Sequence, residues 1–159
     1  RVTNGMTSST YGPSLQIRRG DFILMLYRIF NFRGGNAANP GFADVPANAY
    51  YAQAVSAAKQ MGIVNGDGRN FMPNSPITRQ DAMVMVKNAM EAAGKIHGSA
   101  STTILNGFPD GGSVSGYARD AVSTLVQMGA VNGSNGMLNP RMSITRAEAA
   151  VILHFVMTY

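Results

Sequence analysis

The chain has 159 residues, 45% of them hydrophobic and 13% charged, a formal net charge of +5 and no cysteine. That size and apolar share suit one compact domain or one assembly of repeats with its own core, and the missing thiols exclude disulfides and thiolate metal sites. The basic residues cluster only at Arg18-Arg19 and are not interleaved with aromatics, so no nucleic-acid partner is expected. No apolar run reaches the roughly 20 residues of a membrane span.

The first predicted helix runs from about Asp21 to Phe32, behind Tyr11-Gly12-Pro13 and Ile17-Arg18-Arg19-Gly20-Asp21. A Gly- and Asn-rich linker, 34–41, separates it from Phe42-Ala43-Asp44-Val45-Pro46. The next helix is expected from about Asn48 to Met61, with Val55, Ala58 and Met61 on one face. Gly62 follows it as a left-handed cap. Asn65-Gly66-Asp67-Gly68 then reverses the chain. A second helix of this unit starts at Thr78 and runs to about Ala93. Its Thr78-x-x-Asp81 spacing is that of a capping box. After a second linker, 95–107, the order repeats: Phe108-Pro109-Asp110, a helix from about Ser115 to Met128 with Val122, Leu125 and Met128 on one face, Gly129, the turn Asn132 to Gly136, and a last helix from Thr145 to about Met157 with Thr145-x-x-Glu148.

The likeness is one of residues as well as pattern. Shifted by 67 residues, Tyr50–Val84 falls on Tyr117–Val151 without a gap, and 16 of the 35 positions are identical. Tyr11 to Asp21 matches Phe71 to Asp81 as a third, partial copy. One supersecondary unit used several times is the expectation, because a single unit cannot bury its own apolar face. The fold class is therefore read as all-α, built of helix–loop–helix repeats. Residues 1–33 form the C-terminal half of a first repeat, 42–94 a second and 108–159 a third.

Arg79 and Arg146 stand in first helical turns, where the dipole disfavours a cation. An anionic ligand turns that cost into an advantage, since a guanidinium fork at a helix start suits a carboxylate. The alternative is that each ties loop carbonyls or a neighbouring acid. Asp81 and Glu148 are read as caps, not as acid/base catalysts. Asp44 and Asp110 either fix loops or touch ligand. Tyr50 and Tyr117 are read first as packing residues with a wet hydroxyl. Asn65 to Gly68 lacks the spaced oxygens and closing glutamate of a calcium loop. His97 and His154 stand alone, and no nucleophile elbow or triad spacing is present. No metal and no cofactor are expected. The 11 methionines are read as adaptable core packing.

Taken together, Phe-x-Asp-Val-Pro, Tyr, Met-Gly-Ile-Val-x-Gly, Phe-x-Pro and Ile-Thr-Arg-x-Asp/Glu-Ala resemble the S-layer homology repeat. Ile144-Thr145-Arg146-Ala147-Glu148 is its most complete signature, Ile77-Thr78-Arg79-Gln80-Asp81 a close variant, and Ile17 to Asp21 a looser one. The resemblance implies three repeats about a pseudo-threefold axis with a helical bundle at the centre. It implies an extracellular location at the cell wall or S-layer. The implied function is non-covalent anchoring of an exported bacterial surface protein to an anionic, in many members pyruvylated, secondary cell-wall polymer, or to modified peptidoglycan. The implied grooves lie between repeats and draw on Arg19, Arg79 and Arg146, Asp44 and Asp110, Tyr50 and Tyr117, and Gly66 and Gly133. Tyrosine replaces the tryptophan common at that aromatic position. By the same comparison the first repeat lacks its opening segment and first helix, and Arg1 reads as the start of an internal or processed fragment. Either a separate N-terminal piece or a second chain is expected to complete it. The rival readings are a surface self-assembly module without glycan binding and a wall glycosidase, which needs two carboxylates facing one cleft.

Overall fold

The structure is a computed structural model and describes residues 12–159; Tyr11 of the partial copy lies outside the described residues. Its α-helices are α1 (Arg19–Ile29), α2 (Ala52–Gln60), α3 (Arg79–Ala92), α4 (Arg119–Gln127) and α5 (Arg146–Thr158). Short 3-10 turns span Thr102–Gly107, Gly111–Ser113 and Gly116–Ala118. The chain is all-α: pairing of extended residues among those described is limited to isolated bridges.

Helix ends follow local chemistry. Thr145 and Glu148 form the complete capping box, with the Glu148 amide donating to Thr145 Oγ1 at 3.2 Å and the Thr145 amide donating to Glu148 Oε2 at 2.8 Å. At α3 only half the box forms. Thr78 Oγ1 accepts from the Asp81 amide at 3.2 Å, but the Asp81 carboxylate turns away to partners in neighbouring units. The helices expected from 48 and 115 start later, at Ala52 and Arg119. Neither Tyr51 nor Ala118 at the cap position makes a side-chain cap bond, and the chain enters through turns closed by the Ala52 amide on Ala49 O and the Ala118 amide on Ser115 O. At the other end of α2 the Ile63 amide donates to Ala58 O and the Gly62 amide to Lys59 O, with Gly62 at φ +71°. That is the Schellman arrangement.

α1 starts two residues before the expected position, with no side-chain cap from Arg18. Its first amides are satisfied from another unit: Arg19 donates to Ser75 O at 3.0 Å and Gly20 to Pro73 O at 2.9 Å. The same exchange serves α3, through Arg79 to Met142 O and Gln80 to Pro140 O, and α5, through Arg146 to Leu15 O and Ala147 to Pro13 O. Beside these bonds lies a closed ring of three. The Ile17 amide donates to Ile144 O (3.1 Å), the Ile144 amide to Ile77 O (3.1 Å) and the Ile77 amide to Ile17 O (3.0 Å). All three isoleucines are buried. The segments leading into α1, α3 and α5 are thereby fixed to one another, and these helices contact each other pairwise.

α2 packs on α1, and α4 on α3. Between them runs one core that includes Phe22, Leu26, Val55, Phe71, Met83, Met90, Val122, Leu125 and Leu138. Lys87 clamps α3 to α4 with its Nζ 2.7 Å from Glu91 and 2.9 Å from Asp120. Burial opposes its charge, but the two carboxylates outweigh that and raise its pKa. The stretch 95–107, expected as plain linker, carries the 3-10 turn Thr102–Gly107, capped by Ser101 and anchored by the buried Leu105. The outer side of α5 differs from those of α1 and α3. Val151 is 67% exposed and Met157 58%, and no described helix covers them as α2 and α4 cover their partners.

Candidate ligand groove

The first-turn arginines of α1 and α3 reach across to the acid of the next unit. Arg19 Nη1 lies 3.0 Å from Asp81 Oδ2, and Arg79 Nη1 3.2 Å from Glu148 Oε1. Here the pairing alternative weighed from sequence is realised, and the partner is an acid read from sequence as a cap. Arg19 also donates from Nε to Phe71 O at 3.0 Å, with its guanidinium over the Phe71 ring. Its Nη2 has no protein acceptor among the described residues. Arg79 Nε, by contrast, is buried without a partner among the described residues. Arg146 is 9% exposed at the start of α5.

The tyrosines complete the pattern. Tyr117 donates to Asp81 Oδ1 at 2.6 Å and Tyr50 to Asp21 Oδ1 at 2.5 Å. Asp81 is thus the meeting point of three units: its own α3, Arg19 of α1, and Tyr117 ahead of α4. Gln80 Nε2 adds a bond to Tyr117 Oη at 3.0 Å. Beside Asp81 opens a cavity of about 270 Å³, lined by Arg19, Asn65, Gly66, Asp81, Asn88 and Tyr117 on its polar side and by Ile63, Val64, Val84 and Met85 on its apolar side. That is near the lower end of small-molecule sites, roughly 300–1,000 Å³. Three of the residues singled out from sequence, Arg19, Gly66 and Tyr117, meet in it. Tyr117 keeps 65% of its surface exposed, so a ring face remains open at the lip.

The other sequence candidates stand elsewhere. Asp44 spends both oxygens on consecutive amides, Phe71 (2.8 Å) and Met72 (2.7 Å). Asp110 does the same with Leu138 (2.9 Å) and Asn139 (2.7 Å). Each carboxylate holds a turn in which the second residue has positive φ, +60° at Met72 and +50° at Asn139. Gly133 repeats the turn of Gly66 in the last unit, where an added Cβ meets Met137 O at 2.9 Å. Asp67 serves its own turn by accepting from the Arg69 and Asn70 amides, which hold its carboxyl below the usual range. Asp81 as a hub, and Asn65 and Asn88 as lining, were not singled out from the sequence. The repetition of Asn65 at Asn132 was the available signal for one of them.

Both hub tyrosines are poor acids. Burial, then the hydrogen bond to a carboxylate, pushes Tyr50 and Tyr117 up to about 12 from 10.0. A phenol whose folded pKa is raised contributes stability that is present below pH 10 and lost as pH rises through 12. Phenolate absorbance should therefore show two groups ionising near 12, and both should vanish in the Tyr50→Phe, Tyr117→Phe double variant. Unchanged high-pH titration in that variant would refute the assignment.

Residues 41–83 and 107–150 match the S-layer homology domain. The chain belongs to that family. Its S-layer homology units carry α2 and the start of α3 in one matched segment, and α4 and the start of α5 in the other. The chain is 35% identical to an amylopullulanase of Thermoanaerobacterium thermosulfurigenes, over 96% of this chain and 8% of that protein. It is 34% identical to the exoglucanase XynX of Acetivibrio thermocellus, over 96% of this chain and 14% of that protein. With the S-layer protein EA1 of Bacillus anthracis it shares 30% identity, over 92% of this chain and 16% of that protein. The chain spans less than a fifth of the length of these relatives. Membership of the S-layer homology family, with S-layer proteins among the relatives, places it outside the cell as a surface-anchoring module.

Proposed function

We propose that this S-layer homology domain holds an exported protein to the bacterial wall by binding an anionic secondary cell-wall polysaccharide, or modified peptidoglycan, in grooves between repeats. The observation that carries the reading is the cavity at Asp81, where three units contribute Arg19, Gly66 and Tyr117 to one site. Arg19 is pre-oriented by Asp81 and Phe71 O and keeps Nη2 for an acidic sugar substituent. Tyr117 offers an open ring, and the turn at Gly66 forms part of the wall. A single carboxylate, Asp81, lines the cavity, and it is occupied by Arg19 and Tyr117; this favours recognition over glycoside cleavage, which uses a pair.

The same reading takes the ring Ile17–Ile144–Ile77 as the mark of a pseudo-threefold axis. On that symmetry the exposed side of α5 receives a helix of the α2 and α4 type, with a tyrosine ahead of it aimed at Glu148. A segment outside the described residues, or a second chain, supplies it.

Pull-down on purified wall tests the proposal. The chain should sediment with wall and stay in solution once the secondary polymers are extracted. Retention should fall as salt rises, because the contact is charge-led, and Arg19→Ala should reduce it. Equal retention of Arg19→Ala and parent would remove this groove from the mechanism.

A further inference from the structure

The segment 95–100 and the last turn of α4 border a second cavity, of about 470 Å³, which shares no lining residue with the groove at Asp81. Its volume is within the range of small-molecule sites, roughly 300–1,000 Å³. Lys95, His97, Gln127 and Tyr159 line it, over apolar surface from Ile96 and Met128. None of those four polar side chains has a hydrogen-bond or ion-pair partner among the described residues. The backbone adds to them. The amides of Ile96, His97, Gly98 and Ser99 bond to no acceptor among the described residues, and Gly98 turns the run at φ +83°. Successive free amides around a left-handed residue form a concavity suited to an anion.

No carboxylate lines this cavity. Asp120 adjoins Ser99 but is paired with Lys87 at 2.9 Å. The C-terminal ends of α3 and α4 oppose an anion, yet their last carbonyls are occupied. Those of Ala89, Met90 and Glu91 accept from the amides of Ala93, Lys95 and Gly94, and those of Thr124, Leu125 and Val126 from Met128, Ala130 and Gly129. A surplus of donors remains. Its shape also selects. The groove at Asp81 presents a guanidinium, whose planar fork matches a carboxylate, whereas no arginine lines this cavity. An ammonium, an imidazole, a carboxamide and a phenol are separate point donors, and with the backbone amides they suit a tetrahedral anion that accepts on every side. Neutral imidazole keeps one N–H, so His97 donates in either protonation state.

We propose that this cavity binds a phosphate group carried on a polyol chain. Lys95, His97 and the amides of 96–99 hold the phosphate oxygens, Gln127 and Tyr159 meet the hydroxyls, and Ile96 and Met128 face the carbon chain. The inference goes beyond the glycan-binding reading of the groove and does not depend on it.

The test is an NMR titration of the full chain with three probes: glycerol 3-phosphate, inorganic phosphate, and succinate as a dianion of planar carboxylates. Glycerol 3-phosphate should give saturable shifts of the 96–99 amides and of the Gln127 side-chain amide, while the Asn65 and Asn88 side chains of the groove stay still. Lys95→Ala with His97→Ala should weaken it at least about tenfold, the loss of one charge-assisted hydrogen bond. Both residues are exposed on a loop, and an unchanged amide spectrum outside 95–100 shows that the fold survives. If the double variant fails to fold, the shifts of the parent decide. Succinate binding as tightly as the phosphates, shifts centred on the groove, or no saturation at 96–99 overturns the inference. Equal affinity for inorganic phosphate and glycerol 3-phosphate overturns the polyol assignment and leaves free phosphate as the ligand.

Discussion

Asp81→Ala is expected to lower stability by about 2–4 kcal/mol and to abolish wall retention by the groove it supports. The stability figure follows from what the substitution strands. Arg19 has a side chain only 12% exposed and gives Nη1 to Asp81, so truncation leaves a largely desolvated cation short of its partner. Breaking a fully buried pair from one side costs about 3–5 kcal/mol. The 25% exposure of Asp81 itself reduces that, while the lost acceptor for Tyr117 adds roughly 1 kcal/mol. The loss of binding has a separate cause. Without Asp81, neither Arg19 nor Tyr117 is held at the cavity, and two of its recognition groups lose their positions together. Asp81→Asn separates the effects, since it keeps an acceptor for the Tyr117 hydroxyl and discards the charge that orients Arg19. Urea unfolding and wall pull-down read the two quantities. A variant within about 1 kcal/mol of the parent would show that the Asp81 hub does not tie the units together, because ordinary surface ion pairs reach only that value.

The features legible in the sequence are those encoded within a few residues. Thr145 and Glu148 are three apart, and their box forms in full. Val55 and Ala58, or Val122 and Leu125, mark their faces by helical spacing alone and are buried, whereas Met61, expected on the same face at the end of α2, is 38% exposed. Contacts between units leave no such trace. Arg79 and Glu148 are 69 residues apart, and nothing in the residues around either one marks the other as its partner. Asp81 is the clearest case: its spacing from Thr78 is right for a box, yet its carboxylate is claimed by Arg19 and Tyr117. The loop aspartates were undecidable for the same reason, because Asp44 finds its amides at Phe71 and Met72, 27 and 28 residues on. Within 95–107 the abundance of small polar residues pointed to linker. The apolar pair Ile104-Leu105 was the overlooked sign that this stretch dips into the core, where Leu105 is buried.

Gly66→Ala is expected to destabilise the domain by about 3 kcal/mol, from two terms that fall on one atom. Gly66 sits at φ +59°, and an L-residue in that region costs roughly 1–2 kcal/mol. An added Cβ also stands 2.2 Å from Asn70 O and 2.7 Å from the Phe42 ring. The carbonyl cannot yield easily, because the Asp67 amide bonds to it at 3.0 Å and closes the turn. The ring cannot yield either, since Phe42 is buried against Phe71 at 5.6 Å between centroids. Overpacking of this kind costs about 1–3 kcal/mol. Gly62→Ala isolates the first term: its φ is +71°, but nothing lies within 4 Å of the added atom, so only the backbone cost applies. Unfolding midpoints should therefore rank Gly66→Ala well below Gly62→Ala, and equal midpoints would show that the turn adapts. Wall retention should follow the same order for a further reason. Gly66 lines the cavity and Gly62 does not, so a turn displaced at position 66 moves part of the groove wall.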